Sequence, residues 1–282
     1  NCTGCVVNGA VALSPPDIQI VGDPHFVEIP GQYIGSDFAL NAFEPEHRKL
    51  ILDITARVGA WMGARGYRGN FGVDFLSTVD ARNRIKEIYV SEVNARIVGE
   101  SQYMADWQAM ADCVPLTFFH LAEWLNIDEV TPAEIAAYNA SLPPLAGSAL
   151  LLYTREKGTF RAAGGVTSGI YRFDGDRLAR LRDGYLLSQT GGAEEFVITN
   201  GIPWDGLVLG HPRYGDRNVF LCYLLTRESI VQPGNWRLVN ERWRRRADLV
   251  YKALGLTPCP PRLLPGVRHR RGAEGHELDQ VL

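Results

Sequence analysis

The chain has 282 residues, of which 46% are hydrophobic and 22% are charged, and its formal net charge is −3. This composition is typical of a globular protein with one large or two small domains. The charge argues against a surface that binds nucleic acid or anionic membrane by broad electrostatic attraction. No apolar run approaches the ~20 residues that span a bilayer, so we expect no membrane partner.

Five cysteines lie at positions 2, 5, 113, 222 and 259. An odd and sparse set does not form a disulfide framework, which favours the reducing cytoplasm as the location of the protein. Cys2 and Cys5 have the spacing of half a zinc site. No second Cys/His pair with ligand spacing answers them, so we interpret them as strand residues.

The first elements are two strand-like runs at 5–13 and 18–29, separated by a turn composition at 14–17. We expect these runs to be neighbouring strands, followed by a loop at 31–37. A helix is predicted over 45–65, because Pro45 suits a first helical position and Gly66 suits the residue past a helix end. Its apolar residues recur at helical spacing: Leu50, Ile51, Ile54, Val58, Trp61 and Met62.

After this helix the periodicity changes to that of strands. Residues 72–76 and 85–93, joined by a polar turn at 80–84, predict an antiparallel hairpin. A helix follows over 102–126, interrupted before Pro115. Another helix begins at Thr131, where Glu134 three residues later completes a capping box.

Beyond position 145 we predict short strands at 150–153, 169–173, 196–199, 207–209 and 219–224 and a helix over 238–254 that Gly255 ends. The overall prediction is an α+β protein. We expect a first domain over 1–145, an accessory domain over 146–257, and a disordered tail over 258–282 that is rich in Pro, Arg and Gly.

Polar side chains with the chemistry of a metal site lie on the predicted hairpin. Strand alternation places Glu92, Asn94 and Arg96 on one face, and Asp74 on the partner strand can reach the same space. Carboxylate and carboxamide oxygens are ligands of Mg²⁺, and a guanidinium such as Arg96 holds phosphate. The alternative is a solvated hairpin face on which these residues are simply polar.

The segment from Gly69 to Phe75, followed after residues 76–91 by Glu92-Val93-Asn94-Ala95-Arg96, resembles the closing segment of the ATP-grasp superfamily. The resemblance implies an ATP-grasp-like antiparallel sheet with flanking helices. It also implies that Asp74, Glu92 and Asn94 bind Mg²⁺, with Mn²⁺ as the alternative ion, against the phosphates of ATP. Arg96 would contact the γ-phosphate or an acyl-phosphate, so it is both the candidate catalytic residue and a cofactor-binding residue with Asn94.

Within the superfamily, the chain looks most like the carboxylate–amine ligases of the peptide-ligase branch, including the pheganomycin-type ligases. That resemblance implies carboxylate and amine substrates, either small molecules or peptides, that are joined through an acyl-phosphate. The lysines and Gly-rich loop that precede this segment in the family have no counterpart here, so we expect the C-terminal portion of such an enzyme. The alternative is a non-catalytic scaffold that retained the fold. Homo-oligomerisation is left open.

A few further residues were weighed as site candidates. Arg68 lies in the loop leading to the Asp74 strand and is a candidate for contacting phosphates. His120 is interpreted as a core or interface histidine, and residues 164–169 are interpreted as a tight turn. The basic run 242–246 is interpreted as a solvated face that pairs with acidic neighbours.

Overall fold

The fold is mixed α+β, as the sequence predicts. The computed structural model describes residues 1–80, 84–156, 158–210 and 218–260. The helices in these ranges are α1 Pro45–Gly63, α2 Ser101–Met110, α3 Leu116–Trp124, α4 Pro132–Ala140 and α5 Glu241–Leu254, with a 3₁₀ turn at Leu187–Gln189. None of the described helices combines the length and the apolarity needed to cross a membrane.

The strands in the first half of the chain are β1 Cys2–Val7, β2 Ala10–Leu13, β3 Ile18–Val21, β4 Tyr33–Asp37, β5 Gly69–Val79 and β6 Ile85–Asn94. Those in the second half are β7 Ser148–Tyr153, β8 Phe160–Arg161, β9 Gly169–Asp174, β10 Arg177–Arg182, β11 Glu195–Thr199, β12 Val208–Leu209, β13 Phe220–Thr226, β14 Val231–Gln232, β15 Asn235–Val239 and β16 Thr257–Pro258.

Two large antiparallel sheets organise these strands. The first has the order β2-β1-β5-β6 and the second has the order β10-β9-β11-β13-β7-β4-β3. Two small sheets, β12-β8-β16 and β14-β15, lie beside them. All pairings are antiparallel, which agrees with the antiparallel sheet expected from the sequence.

The first predicted strand is divided by a tight turn. Asn8 (φ 45°) and Gly9 (φ 77°) both have left-handed backbone conformations, as a two-residue hairpin turn requires. The run at 5–13 therefore forms the hairpin β1–β2, in which Val7 pairs with Ala10. The prediction of one continuous strand was wrong because the Asn-Gly turn signal lies inside the apolar run.

The second predicted strand ends earlier than expected. β3 stops before Gly22 (φ 68°), where a Cβ would lie 1.9 Å from the carbonyl oxygen of Pro30. The predicted loop at 31–37 instead contains β4, which pairs with β3 through Ile20 and Gly35. The two runs therefore lie in different sheets and are not neighbouring strands, because each finds its partner through its own local turn.

Helix α1 forms as predicted, with Pro45 in its first turn and Gly66 in a left-handed conformation (φ 87°) after its end. Its buried face consists of Ile51, Thr55, Gly59 and Met62. Leu50 and Trp61, expected on the apolar face, are 43% and 59% exposed. The buried face of α1 differs from the predicted one because Gly59 packs against the Phe71 ring, which turns the Gly59 side of the helix toward the sheet.

The helices of the middle region also follow the sequence. The predicted long helix is interrupted before Pro115, giving α2 and α3. Helix α4 carries the predicted capping box, in which the Thr131 N–H donates to Glu134 Oε2 at 2.7 Å and the Glu134 N–H donates to Thr131 Oγ1 at 3.3 Å. Helix α3 packs on β1 and β5 and so supports the first sheet.

The second sheet is covered on both faces. Alternate residues of β7 enter two different cores: Leu150 and Leu152 pack in the core that contains α5 residues such as Trp243, whereas Leu151 packs in the core of α2 and α3. Helix α5 begins at Asn240, whose side chain accepts the Trp243 N–H at 2.9 Å, so the predicted start at 238 lies inside β15.

Strands from both sides of the predicted boundary near 145 share the second sheet, since Gly35 of β4 pairs with Leu150 of β7. The division into two domains stays a prediction. Of the predicted disordered tail 258–282, Pro258 belongs to β16, and everything from position 261 lies outside the described residues. The five cysteines are all free.

Beneath the β5–β6 hairpin lies a small core of Val6, Met62, Phe71 and Val73. Phe71 is fully buried, and Gly4 and Gly59 bring β1 and α1 against its ring. This one side chain therefore fills the space between the helix and the sheet. Further along the same strand, Leu76 is 64% exposed.

We predict that Phe71→Ala lowers the free energy of unfolding by about 3–5 kcal/mol, because it removes a buried ring and leaves a cavity. Leu76→Ala, on the exposed part of the same strand, should change it by no more than about 0.5 kcal/mol. Urea unfolding followed by circular dichroism measures both. Similar losses of unfolding free energy for the two variants would show that the Phe71 ring does not hold α1 against the first sheet.

Candidate functional site

The register of the hairpin brings the predicted side chains together. Asp74 pairs with Glu92 and Gly72 pairs with Asn94, so these positions face the same side of the sheet. A bulge follows, because Phe75 pairs with Val90 and leaves Ser91 without a partner residue. The predicted antiparallel pairing is confirmed, and Asp74 and Glu92 lie directly opposite each other.

Hydrogen bonds link three of the four polar residues. Asn94 Nδ2 donates to Asp74 Oδ2 at 3.0 Å, and Arg96 Nη2 donates to Asn94 Oδ1 at 2.9 Å. Arg96 also donates to the Ile97 carbonyl oxygen at 3.3 Å. Both Arg96 and Glu92 are exposed. The arrangement fixes the Asn94 amide orientation and leaves the Arg96 guanidinium at the surface, hydrogen-bonded to the Asn94 amide oxygen.

The donor set was tested for its fit to a cation. Within the described ranges, no group of three His, Cys, Asp or Glu residues could hold a metal ion. The hairpin offers two carboxylates and one carboxamide oxygen, and the Asn94 amide would have to rotate to share an ion with Asp74, because its Nδ2 now faces Asp74 and its oxygen accepts from Arg96. Mg²⁺ is usually held by one or two carboxylates with water and substrate phosphates in its remaining positions, so this smaller set fits Mg²⁺ better than an ion that needs an all-protein cage.

Two buried carboxylates adjoin the hairpin, and sequence reasoning did not assign them to the site. Asp17 is 2% exposed and Glu100 is 3% exposed. Asn1 Nδ2 donates to Glu100 Oε1. Burial, and then the negative charges of Asp17 and Asp74, raise the pKa of Glu100 to about 7, with an opposing effect from the Asn1 amino group. Burial likewise raises the pKa of Asp17.

These carboxylates lie among buried polar atoms, several of which lack a hydrogen-bond partner in the described part of the chain. Within the described residues, neither carboxylate oxygen of Asp17 has a hydrogen-bond partner, nor do Thr3 Oγ1 and Ser101 Oγ. Buried polar atoms without partners are uncommon in folded proteins and concentrate where a water, ion or ligand completes them. The region therefore extends the hairpin site inward.

A hydroxyl network connects this region to α2. The Tyr33 hydroxyl lies 2.7 Å from Ser36 Oγ and 2.7 Å from the Tyr103 hydroxyl. Burial and the nearby charge of Glu100 raise the pKa of both tyrosines well above its usual value. Tyr33 and Ser36 lie on β4, which was predicted as a loop, so no strand-based signal could place them here.

Arg68 is engaged at a different place. Its guanidinium binds the Glu123 carboxylate, donates to the Glu123 carbonyl oxygen at 2.7 Å, and lies 5.1 Å from the ring centroid of Trp124. Asp74 lies six positions further along the chain, which corresponds to roughly 20 Å in an extended strand. The structure therefore does not bring Arg68 together with the hairpin carboxylates; it ties the start of β5 to α3.

The remaining sequence candidates have structural partners. His120 Nδ1 accepts the Asn70 N–H at 3.1 Å, which fits its interpretation as a packing histidine. Along the basic run of α5, Arg244 pairs with Asp23 at 3.0 Å and Arg246 pairs with Glu228 at 2.8 Å. The pairing with acidic neighbours is as predicted, but the face is not solvated at these two positions, where the Arg244 and Arg246 side chains are 22% and 12% exposed.

Comparisons with known proteins give limited information. No protein-family model matches the chain, and no curated protein sequence does. A biotin carboxylase domain of a single-chain bacterial carboxylase is similar in structure, with a TM-score of 0.40 and 16% sequence identity. The similarity covers 80% of this chain and 42% of that chain, so this chain spans less than half the length of the domain it resembles. At this level, the likeness carries no conclusion about activity.

We predict a pH-dependent cost of burying Glu100. Below about pH 4.5 its carboxyl is protonated in the folded and unfolded states alike. Between about pH 4.5 and its folded pKa of about 7, the unfolded state ionises while the folded state keeps the proton, so the folded state loses stability as the pH rises. Glu100→Gln removes this cost and retains the Oε1 acceptor. The variant should therefore gain stability over the wild type, by about 2 kcal/mol between about pH 4.5 and pH 7.5.

Urea unfolding across this pH range measures the difference between the two proteins. Glu129→Gln, at an exposed position, controls for the loss of one carboxylate and should follow the wild type at every pH. If the stability difference between Glu100→Gln and the wild type is the same at every pH, Glu100 is not a buried carboxyl with a raised pKa.

Proposed function

We propose that the chain forms the metal- and phosphate-binding part of an ATP-dependent carboxylate–amine ligase of the ATP-grasp type. The observation that carries the proposal is the arrangement on the β5–β6 hairpin, where Asp74 lies opposite Glu92 and is hydrogen-bonded through Asn94 to Arg96. The sequence resemblance assigns roles to these same four residues.

In this proposal Asp74, Glu92 and Asn94 hold Mg²⁺, which would neutralise negative charge on the phosphates of ATP. The Arg96 guanidinium presents several N–H donors in a plane, which suits phosphate oxygens. Asn94 orients Arg96 by accepting its Nη2–H at 2.9 Å, so the phosphate contact lies next to the proposed metal ligands. Arg68 has no role in this proposed phosphate site, because its guanidinium already binds the Glu123 carboxylate.

The reaction would proceed in two steps. A substrate carboxylate oxygen attacks the γ-phosphorus of ATP and displaces ADP, giving an acyl-phosphate. A neutral amine nitrogen then attacks the acyl carbon, forming the amide bond, and phosphate leaves while the nitrogen releases a proton. Positive groups positioned where charge develops on the transferring phosphoryl group lower the barrier of the first step. A peptide-ligase substrate class and a cytoplasmic location are part of the same proposal.

We predict that the full-length protein containing this chain, supplied with ATP, Mg²⁺ and mixtures of carboxylates and amines, releases ADP, and that added hydroxylamine traps an acyl-phosphate as a hydroxamate. Glu92→Gln should lower ADP release by about 100-fold or more and weaken Mn²⁺ binding, measured by electron paramagnetic resonance, by about tenfold, because it removes a charged ligand. Glu87→Gln, an exposed carboxylate on the same strand, is the matched control and should behave as the wild type.

Undiminished ADP release by Glu92→Gln would overturn the metal assignment. Nucleotide and Mn²⁺ binding without ADP release for any carboxylate would favour the alternative, a non-catalytic binding protein that retained this fold.

A second substitution separates the phosphate role from the metal role. We predict that Arg96→Ala lowers ADP release by about 100-fold, since it removes the donor to the transferring phosphoryl group. Its Mn²⁺ affinity should stay within about twofold of the wild type, because the guanidinium is not a metal ligand. A parallel loss of both properties would show that Arg96 acts by holding Asn94 in place.

A further inference from the structure

A small pocket lies on the side of α2 that faces the second sheet. Its volume is about 160 Å³, which is close to that of a cavity that holds a single benzene ring. Helix α2 contributes Gln102, Tyr103 and Asp106 to its lining, while Tyr185, Leu186 and Tyr223 come from the region after 145. The pocket therefore joins residues from both halves of the chain.

The lining favours a positively charged ligand. Asp106 is the ionisable acid among the lining residues, and the lining contains no Lys, Arg or His. Asp106 Oδ2 accepts the Ser188 N–H at 3.0 Å, which holds the carboxylate in place. Three tyrosine rings complete the wall, and aromatic faces attract cations. The combination suits an ammonium group on a short hydrocarbon chain and disfavours a carboxylate or phosphate.

The pocket adjoins the hairpin site through the first turn of α2. Gln102 lies two residues after Glu100, and residues 97–101 separate Gln102 from Arg96. The Tyr103 hydroxyl lies 2.7 Å from that of Tyr33, within the network described above. Asp106 lies six residues beyond Glu100, about 9 Å along the helix. That spacing leaves room for a side chain of several methylenes between the reacting end of a substrate and Asp106.

We propose that this pocket is a specificity site that binds the side-chain ammonium of a lysine-like amino acid or peptide substrate. The inference rests on the proposed ligase function for its role in the reaction, because it assigns the substrate class that the same site would accept. Asp106 pairs with the ammonium, Tyr185 and Tyr223 contact the ammonium and the adjoining methylenes, and the reacting group of the substrate points toward Arg96.

The experiment measures binding in the absence of ATP and metal, so it does not depend on catalysis. L-Lysine and L-norleucine, which keeps the hydrocarbon chain and lacks the ammonium, are titrated into the full chain and followed by NMR. Lysine should bind at least about tenfold more tightly than norleucine, the loss expected when a charged pair is removed. Asp106→Asn should abolish this preference while keeping an acceptor for the Ser188 N–H.

Two further variants complete the design. Asp128→Asn, at an exposed position, is the matched control and should retain the preference for lysine. Tyr185 is an exposed residue of the pocket lining. Tyr185→Ala should weaken lysine binding and leave the midpoint of thermal unfolding unchanged. Equal binding of lysine and norleucine to the wild type, or an unchanged preference in Asp106→Asn, would overturn the inference.

The ligase function and the lysine pocket can be contradicted independently of each other. A preference for lysine that depends on Asp106, found in a chain without ADP release, supports the pocket and counts against the ligase. ADP release that depends on Glu92, found in a chain without this preference, supports the ligase and overturns the pocket assignment alone.

Discussion

The candidate site depends on the register of β5 against β6. Side chains alternate along a strand, so a slip by one residue would move Glu92 to the opposite face from Asp74. Two features fix the register at this end of the hairpin. The apolar pair Val73 and Val93 lies between the Gly72–Asn94 and Asp74–Glu92 pairs, with Val73 fully buried, and the Asn94 side chain donates to Asp74 across the strands. The bulge at Ser91 then changes the pairing immediately beyond the site.

A second constraint is the burial of negative charge. Asp17 and Glu100 approach Asp74 closely enough for their charges to interact, and both are nearly inaccessible to solvent. Burying a carboxylate without full hydrogen bonding is unfavourable for the folded state. A protein usually retains such an arrangement where it contributes to function, and the raised pKa of Glu100 means that its charge changes near neutral pH. The charge of the inner part of the site therefore depends on pH near neutrality.

Sequence reasoning succeeded where the pattern was local. The α1 and α4 boundaries follow from Pro45 and from the Thr131–Glu134 box, and the hairpin follows from strand periodicity. It failed where distant contacts decide the structure. The 31–37 segment lacks a strand pattern of its own, and β4 forms because it is held between β3 and β7, the second of which lies more than a hundred residues away. Asp17 resembles an ordinary turn residue, and only tertiary packing reveals that it is buried. The roles of Asp74, Glu92, Asn94 and Arg96 come from the resemblance; the structure supplies their proximity.

The distal part of the hairpin extends past the rest of the first sheet. β5 pairs with β1 only as far as Val73, and beyond this point Leu76 and Tyr89 are both more than half exposed. A two-stranded ribbon without a third strand has little independent stability. Amide hydrogens should therefore exchange with solvent slowly near Asn70 and quickly near Thr78 within one continuous strand. Asp74 and Glu92 lie where this protection from exchange begins to fall, between the well-packed base of the hairpin and its solvent-exposed tip.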